Sequence, residues 1–420
     1  MRTLLSFSLF FSAQLLIASE SLTYDRVATV DSALSDPALR PPAVNISPGP
    51  EYDATTRQWE GIPTVERTSK GRLWVSWYAG GASEGPFNYV VLVTSKDNGR
   101  TWSKPKVVID PEWYVRACDP LLWIDPQGRL WLFWAQGTGL FDGRFGVWAI
   151  VTRNPDVDTP KWSKPRRISN GLMLNKPTVT ANGDWLLPIG GWKNIKPQLN
   201  LDGVDLSPYT AKSLIHDIGT ERASNVFRSR DQGTTFERAG AADIPKTEYD
   251  EHMLVERRNG SLWMLARTLY GIGQSESFDG GKSWSPGKKY LNHPATRFFV
   301  RRLQSGALLM VRHNAPAGLN FAHLPPLEQK LMTRSHLAAF VSDDEGASWT
   351  GGLMLDERFK VSYPDGLQTN DGTICVVYDR ERFNEREILM ATFREEDARA
   401  GRAVSGNVRL GVVVSKGGHR

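Results

Sequence analysis

Two positions recur around glycine turns in this chain, and ionisable side chains collect at both. Nine residues before successive turn glycines stand Ile62, Asp119, Glu251, Arg297 and Tyr363; seven residues after them stand Tyr78, Ala135, Gly190, Arg267, His313 and Asp379. The third repeat has a shorter turn, and Lys176 precedes its proline. Carboxylates, a phenol and an imidazole can move protons, and guanidinium groups can hold an anion. Such chemistry needs these groups to meet, although Asp119 and Tyr363 lie in distant parts of the chain. The elements that carry them must therefore bring separate repeats together.

The glycines are Gly71, Gly128, Gly183, Gly260, Gly306 and Gly372, spaced 46 to 77 residues apart. Each sits in a polar turn between two β-rich runs, as in PTVERTSKGRLWVSW and HMLVERRNGSLWMLAR, which is the signature of a hairpin. A third strand follows each hairpin, and four of the third strands run into nearly the same octet: SKDNGRTW (95–102), SRDQGTTF (229–236), SFDGGKSW (277–284) and SDDEGASW (342–349). In this pattern the aspartate accepts backbone hydrogen bonds, the glycine permits a positive φ and the aromatic packs between hairpins. Asp97, Asp231, Asp279 and Asp344 are accordingly read as structural. Four-stranded blades repeated around an axis bury faces that one blade cannot hide, and six repeats predict an all-β, six-bladed β-propeller. Equivalent positions then form rings around the axis. Strand starts and hairpin exits share one end of a blade, so both rings face one cleft, where binding sites are commonly built.

Of 420 residues, 40% are hydrophobic and 23% charged, which describes an ordinary globular protein. Residues 1–19 read as a signal peptide, with Arg2 before a short apolar run that ends in small residues. The remaining boundaries are an N-terminal segment at 20–54, a propeller at 55–395 and a C-terminal strand or tail at 396–420. A secreted or periplasmic monomer is expected, with no membrane span after signal cleavage. The 51 basic and 46 acidic residues interleave without a long basic run, which argues against nucleic acid as partner and for an anionic ligand. Cys118 and Cys375 are read as two buried thiols, and no His/Cys/Asp cluster has zinc spacing, so neither metal nor cofactor is expected. The longest interval between turn glycines carries an insertion around KNIKPQLNLDGVDLSPYTAKSLIHDIGTE, read as a loop on one face.

The four octets, the order of six hairpins and the polar ring resemble the exo-α-sialidase (neuraminidase) family of Asp-box propellers, from about residue 55 to about residue 395. The resemblance implies a secreted glycoside hydrolase that cleaves a terminal acidic sugar, sialic acid or similar, from glycans with retention. Glu251, in DEHMLVERRNGSLWMLAR, matches the family's glutamate that partners a catalytic tyrosine, and Arg267 matches the arginine that closes the segment and binds the substrate carboxylate. Tyr363 occupies the place of the nucleophilic tyrosine, and Arg334, eight residues before Ser342, that of another carboxylate-binding arginine. Asp119, in RACDP, matches an R-x-x-D-P segment whose aspartate contacts a sugar hydroxyl. Glu84, 11 residues before Ser95, lies near the general acid, with Asp119 or Asp250 as alternatives, and His252 and His313 are further candidates for sugar contacts.

These residue types suit that chemistry. A sialic acid bears a carboxylate on its anomeric carbon, so a carboxylate nucleophile would meet like charge and a neutral tyrosine does not. A phenol with a pKa near 10 needs an adjacent base to take its proton. Arginine suits the carboxylate because its planar fork makes two charged hydrogen bonds.

One departure stands out: where the family's first strand begins Arg-Ile-Pro, this chain has Gly61-Ile62-Pro63. Losing that charge-assisted contact should cost about 1.5 to 3 kcal/mol, or roughly 10 to 150-fold in affinity. Arg116 and Arg297 are the expected replacements. The departure also admits a propeller glycosidase or lyase acting on a uronic acid or other polysaccharide, or a carbohydrate-binding propeller without turnover.

Overall fold

The computed structural model of the protein describes residues 36–418 apart from 113, 139–142, 194–199, 202–203, 206–215, 248 and 250. The expected signal peptide, most of the inserted loop and Asp250 lie outside the described residues.

Among the described residues six antiparallel sheets of four or five strands follow one another along the chain, each built as the hairpin repeats require. Blade 1 takes Trp59–Arg67, Leu73–Gly80, Asn88–Ser95 and Val107–Ile109, with the short strand Val44–Asn45 added at its outer edge. Blade 2 takes Arg116–Ile124, Leu130–Gly137, Gly146–Thr152 and Arg166–Asn170, and blade 3 takes Thr178–Val179, Trp185–Gly190, Ser224–Ser229 and Glu237–Ala242. Blade 4 comprises Met253–Glu256, Leu262–Thr268, Gly271–Ser277 and Lys288–Leu291; blade 5 comprises Phe299–Arg302, Leu308–His313, Ser335–Ser342 and Thr350–Phe359. Blade 6 comprises Val361–Gln368, Ile374–Arg380, Glu387–Phe393 and Arg409–Lys416. The C-terminal segment therefore supplies the outer strand of blade 6, and the propeller extends beyond residue 395. Among the described residues no helix is long and apolar enough to cross a membrane.

Hydrophobic residues fill the spaces between blades. Trp74, Leu92 and Ile109 of blade 1 pack with Leu122, Leu132 and Ile150 of blade 2, and corresponding clusters join blades 2 and 3, 3 and 4, 4 and 5, and 5 and 6. A sixth cluster unites Val75, Trp77 and Val91 of blade 1 with Val377, Ile388 and Met390 of blade 6. Among the described residues the ring closes by packing rather than by exchange of a strand between its first and last blades.

The octets act at those same interfaces. Trp102 of blade 1 packs against the blade 6 side, Phe236 against blade 2, Trp284 against blade 3 and Trp349 against blade 4. Within each octet the serine hydroxyl donates to the aspartate and accepts the glycine N–H, as Ser277 does toward Asp279 at 2.8 Å and from Gly281 at 2.8 Å. The aspartate accepts at least two further backbone or hydroxyl hydrogens, and the Ser348 hydroxyl leads in holding the Asp344 carboxyl down at about 2. These aspartates fix turns, as their pattern predicts.

Around the axis lies a buried ionic network. Asp365 accepts from Thr64 (2.8 Å) and pairs with Lys176 (3.1 Å) and Arg297 (3.2 Å), so blades 1, 3, 5 and 6 are tied at one carboxylate. Lys176 also pairs with Glu66 at 3.0 Å and donates to the Val65 and Leu122 carbonyls.

Candidate active site

The inner strands of blades 1, 2 and 6 share a local deviation that aims side chains into the cleft. Ile62, Asp119 and Tyr363 each adopt a positive φ (58°, 49° and 54°), and the strand register slips there, between Gly61 and Thr64, Cys118 and Leu121, and Ser362 and Asp365. A proline follows each of them. A bulge re-aims one side chain off the sheet face, and the strained backbone is held by the fully paired strand beyond it.

Tyr363 is thereby delivered to Glu251, at the start of the blade 4 inner strand, and to Arg267, at the exit of the next strand. The phenol Oη donates to Glu251 Oε1 at 2.8 Å, Arg267 Nη1 donates to the same Oε1 at 2.7 Å, and Arg267 Nη1 lies 2.9 Å from the phenol oxygen. All three are buried. Burial, and next the charge of Glu251, raises the phenol pKa well above its ordinary value, while Arg267, Arg334 and Arg382 oppose the rise. The phenol is thus neutral, with a carboxylate in place to take its proton.

Arg334 stands just before the third strand of blade 5, with its guanidinium carbon 5.6 Å from the centre of the Tyr363 ring. It is only 5% exposed, its Nε has no hydrogen-bond partner, and no acidic side chain pairs with it among the described residues. Burial pulls its pKa down to about 10, so it is still a cation at neutral pH. A buried cation without a counter-charge is costly and marks a place for an anion. Arg267, also with an unpaired buried Nε, lies beneath the Tyr249 ring at 4.4 Å.

The gap expected at Gly61 is filled, but by neither candidate. Arg382, in the loop that follows the blade 6 strand Ile374–Arg380, runs its side chain across Gly61; a Cβ there would stand 2.8 Å from Arg382 Cδ. Asp379, a member of the second ring, anchors Arg382 Nε at 2.9 Å, Ser362 Oγ accepts from Nη2 at 3.1 Å, and Glu84 accepts from Nη1 at 3.2 Å. The guanidinium lies 4.4 Å from the centre of the Tyr363 ring. Three guanidinium groups therefore surround one phenol.

Arg297 does not join them: its guanidinium is spent on Asp365 and Asn175 in the axial network. Arg116 lies over the Phe145 ring at 5.5 Å and in the field of Asp119 and Glu84, on the blade 2 side of the cleft. Asp119 is half-buried there, and desolvation, followed by the charge of Glu84, raises its pKa to about 7. Glu84 sits on the loop between the second and third strands of blade 1, with a half-exposed side chain. His252 and His313 bond to the carbonyls of Asn225 (2.7 Å) and Ser335 (3.0 Å), and both are buried. Arg382 escaped sequence reasoning because its role depends on contact between first and last blades. The one trace it left is Gly61 itself, since glycine inside a strand marks close approach of another group.

The described residues form a closed ring of six blades, a β-propeller in which a carboxylate and three guanidinium groups gather about one phenol. The chain belongs to the BNR repeat-like domain family, which it matches over residues 56–376. Among solved structures it is similar to an intramolecular trans-sialidase from Ruminococcus gnavus in complex with oseltamivir carboxylate, at 14% identity and a TM-score of 0.59, covering 84% of this chain and 98% of that one. It is likewise similar to a Trypanosoma rangeli sialidase in complex with sialic acid (16% identity, TM-score 0.55, 80% and 54% covered). A protein of unknown function from Dyadobacter fermentans matches at 16% identity and a TM-score of 0.56, covering 82% and 95%. No curated protein matches the chain.

Proposed function

We propose that the protein is an exported retaining glycoside hydrolase that removes a terminal acidic sugar, sialic acid or a close relative, from glycans. The observation that carries this reading is the contact of Tyr363 Oη with both Glu251 and Arg267, at 2.8 and 2.9 Å, beside the unpaired cation Arg334. In the first step the phenol oxygen bonds to the anomeric carbon as the bond to the leaving oxygen breaks; the phenol proton passes to Glu251, and Glu84 protonates the leaving oxygen. In the second, water gives its proton to Glu84 and attacks the same carbon, and Tyr363 departs and recovers its proton from Glu251. Two displacements retain configuration. Arg267 and Arg334 hold the substrate carboxylate, and the Asp119 carboxyl meets a sugar hydroxyl.

Support for a carboxylate on the attacked carbon comes from the cations, which cluster about the nucleophile itself. The test is turnover of a panel of aryl sialosides and aryl uronides by wild type and Tyr363→Phe. Wild type should hydrolyse a sialoside, and the variant should lose that activity while unfolding at the same temperature. Turnover of uronides alone would replace this reading with a uronidase, and binding without product would replace it with a lectin-like propeller.

A further inference from the structure

The cation missing from the first strand has a successor in space though not in sequence. A side chain at position 61 would project where the Arg382 side chain now lies, with Arg382 Cδ, Nε and Cγ at 2.8, 2.9 and 3.0 Å from the site of its Cβ. A side chain at 61 would therefore have to displace Arg382 from this position, and glycine at 61 leaves that space to Arg382. The loop that carries Arg382 corresponds, one blade away, to the loop that carries Glu84: each joins the second strand of its blade to the third. Arg382 crosses the seam between the last blade and the first to reach Glu84.

The guanidinium is held on one side only. Nε and Nη2 are fixed by Asp379, which is fully buried and also accepts the Ser362 hydroxyl at 2.7 Å and the Ile62 N–H at 2.7 Å. Among the described residues Nη1 hydrogen-bonds only to Glu84, whose side chain is 45% exposed on its loop. A rigid carboxylate thus orients the base of the fork while its tip faces a replaceable partner. The guanidinium carbon lies 4.4 Å from the centre of the Tyr363 ring, which Arg334 approaches to 5.6 Å and whose hydroxyl lies 2.9 Å from Arg267 Nη1.

We propose that Arg382 is a specificity-determining residue that binds the substrate carboxylate in place of an arginine at position 61, and that the incoming carboxylate displaces Glu84 from Arg382 Nη1. This rests on the reading of the site as a hydrolase for sugars with a carboxylate on the anomeric carbon, and it sharpens that reading. In such a sugar the carboxyl carbon is one bond from the atom that Tyr363 attacks. In a uronide it lies three bonds away through the ring oxygen, beyond the cations that ring the phenol. Displacement of Glu84 has a further use: the same event that seats the substrate releases the acid toward the leaving oxygen.

The decisive comparison crosses the protein variant with the ligand charge. Binding of 2-deoxy-2,3-didehydro sialic acid and of its methyl ester is measured by calorimetry for wild type, Arg382→Ala and the exchange variant Gly61→Arg with Arg382→Ala. Arg382→Ala should weaken the free acid by about 10 to 150-fold and leave the ester within about twofold, as expected for one charge-assisted contact. The exchange variant should recover most of the affinity for the acid, because the vacated space accepts an arginine from the first strand. Should Arg382→Ala not fold, Arg382→Gln, neutral but of similar length, carries the same comparison. Equal losses for acid and ester would make Arg382 a packing residue and overturn the proposal; so would unchanged affinity for the acid. Wild type that hydrolyses uronides and ignores the sialic acid analogue would overturn the functional reading beneath it, an outcome separate from either of these.

Discussion

At the residue scale the site depends on groups kept in the ionic form that each needs. Burial raises the pKa of Tyr363 and keeps it neutral, and its hydroxyl donates to Glu251, the proton acceptor of the proposed reaction. Asp119 is the other displaced group, with its carboxyl raised to about 7 chiefly by burial and then by Glu84. The unfolded chain releases this proton near pH 3.9, whereas the folded chain keeps it to about 7. Below the first value both states hold the proton and the full stabilisation is present. Across the window the folded state holds the extra proton, so stability falls as pH rises, and it levels off above about 7. Asp119→Asn should flatten that slope in melting temperatures measured from pH 4.5 to 8; an unchanged slope would assign it to another group. Tyr363, Glu251 and Arg267 were legible in sequence because they stand at fixed distances from turn glycines and resemble a known constellation. Arg382 was not, since nothing in its own neighbourhood, DRERFNER, distinguishes it from a surface loop.

At the scale of elements, two devices position the chemistry. The bulge-plus-proline at Ile62, Asp119 and Tyr363 re-aims three ring members, whereas Arg297 and Lys176 pair with Asp365 at the axis. Counting from the turn glycine gives the ring but not this division, because sequence spacing does not specify φ. The Asp-box turn is the second device, and there local chemistry suffices: serine, aspartate and glycine close their own hydrogen bonds, and the turn could be read directly. Ser277→Ala would strand the buried Gly281 N–H, which should lower unfolding free energy by about 1 to 3 kcal/mol in denaturant titration with activity unchanged. A loss of activity at constant stability would show that the turn reaches the site.

At the scale of the whole molecule, the geometry of the proposed site is a consequence of closure. Blades 4, 5 and 6 provide Glu251 and Arg267, Arg334, and Tyr363 with Arg382; blades 1 and 2 provide Glu84 and Asp119. The number of blades was legible from six glycine turns, and hydrophobic clusters at all six interfaces explain why the ring closes. The extent of blade 6 was less clear, because a helix at Glu395–Ala400 separates its outer strand from the rest. At the axis, Asp365→Asn would leave Lys176 and Arg297 short of a buried counter-charge. Breaking such a pair should cost about 3 to 5 kcal/mol, read as a lower denaturation midpoint; a cost near zero would mean that packing alone holds the ring closed. The central claim, that closure makes Tyr363 a nucleophile, is tested most directly by mass spectrometry of the protein after incubation with a 2,3-difluorinated sialic acid. The account predicts one sugar covalently attached to the peptide containing Tyr363 and none on Tyr363→Phe; an adduct on another residue, or sialoside turnover with no adduct on Tyr363, would contradict it.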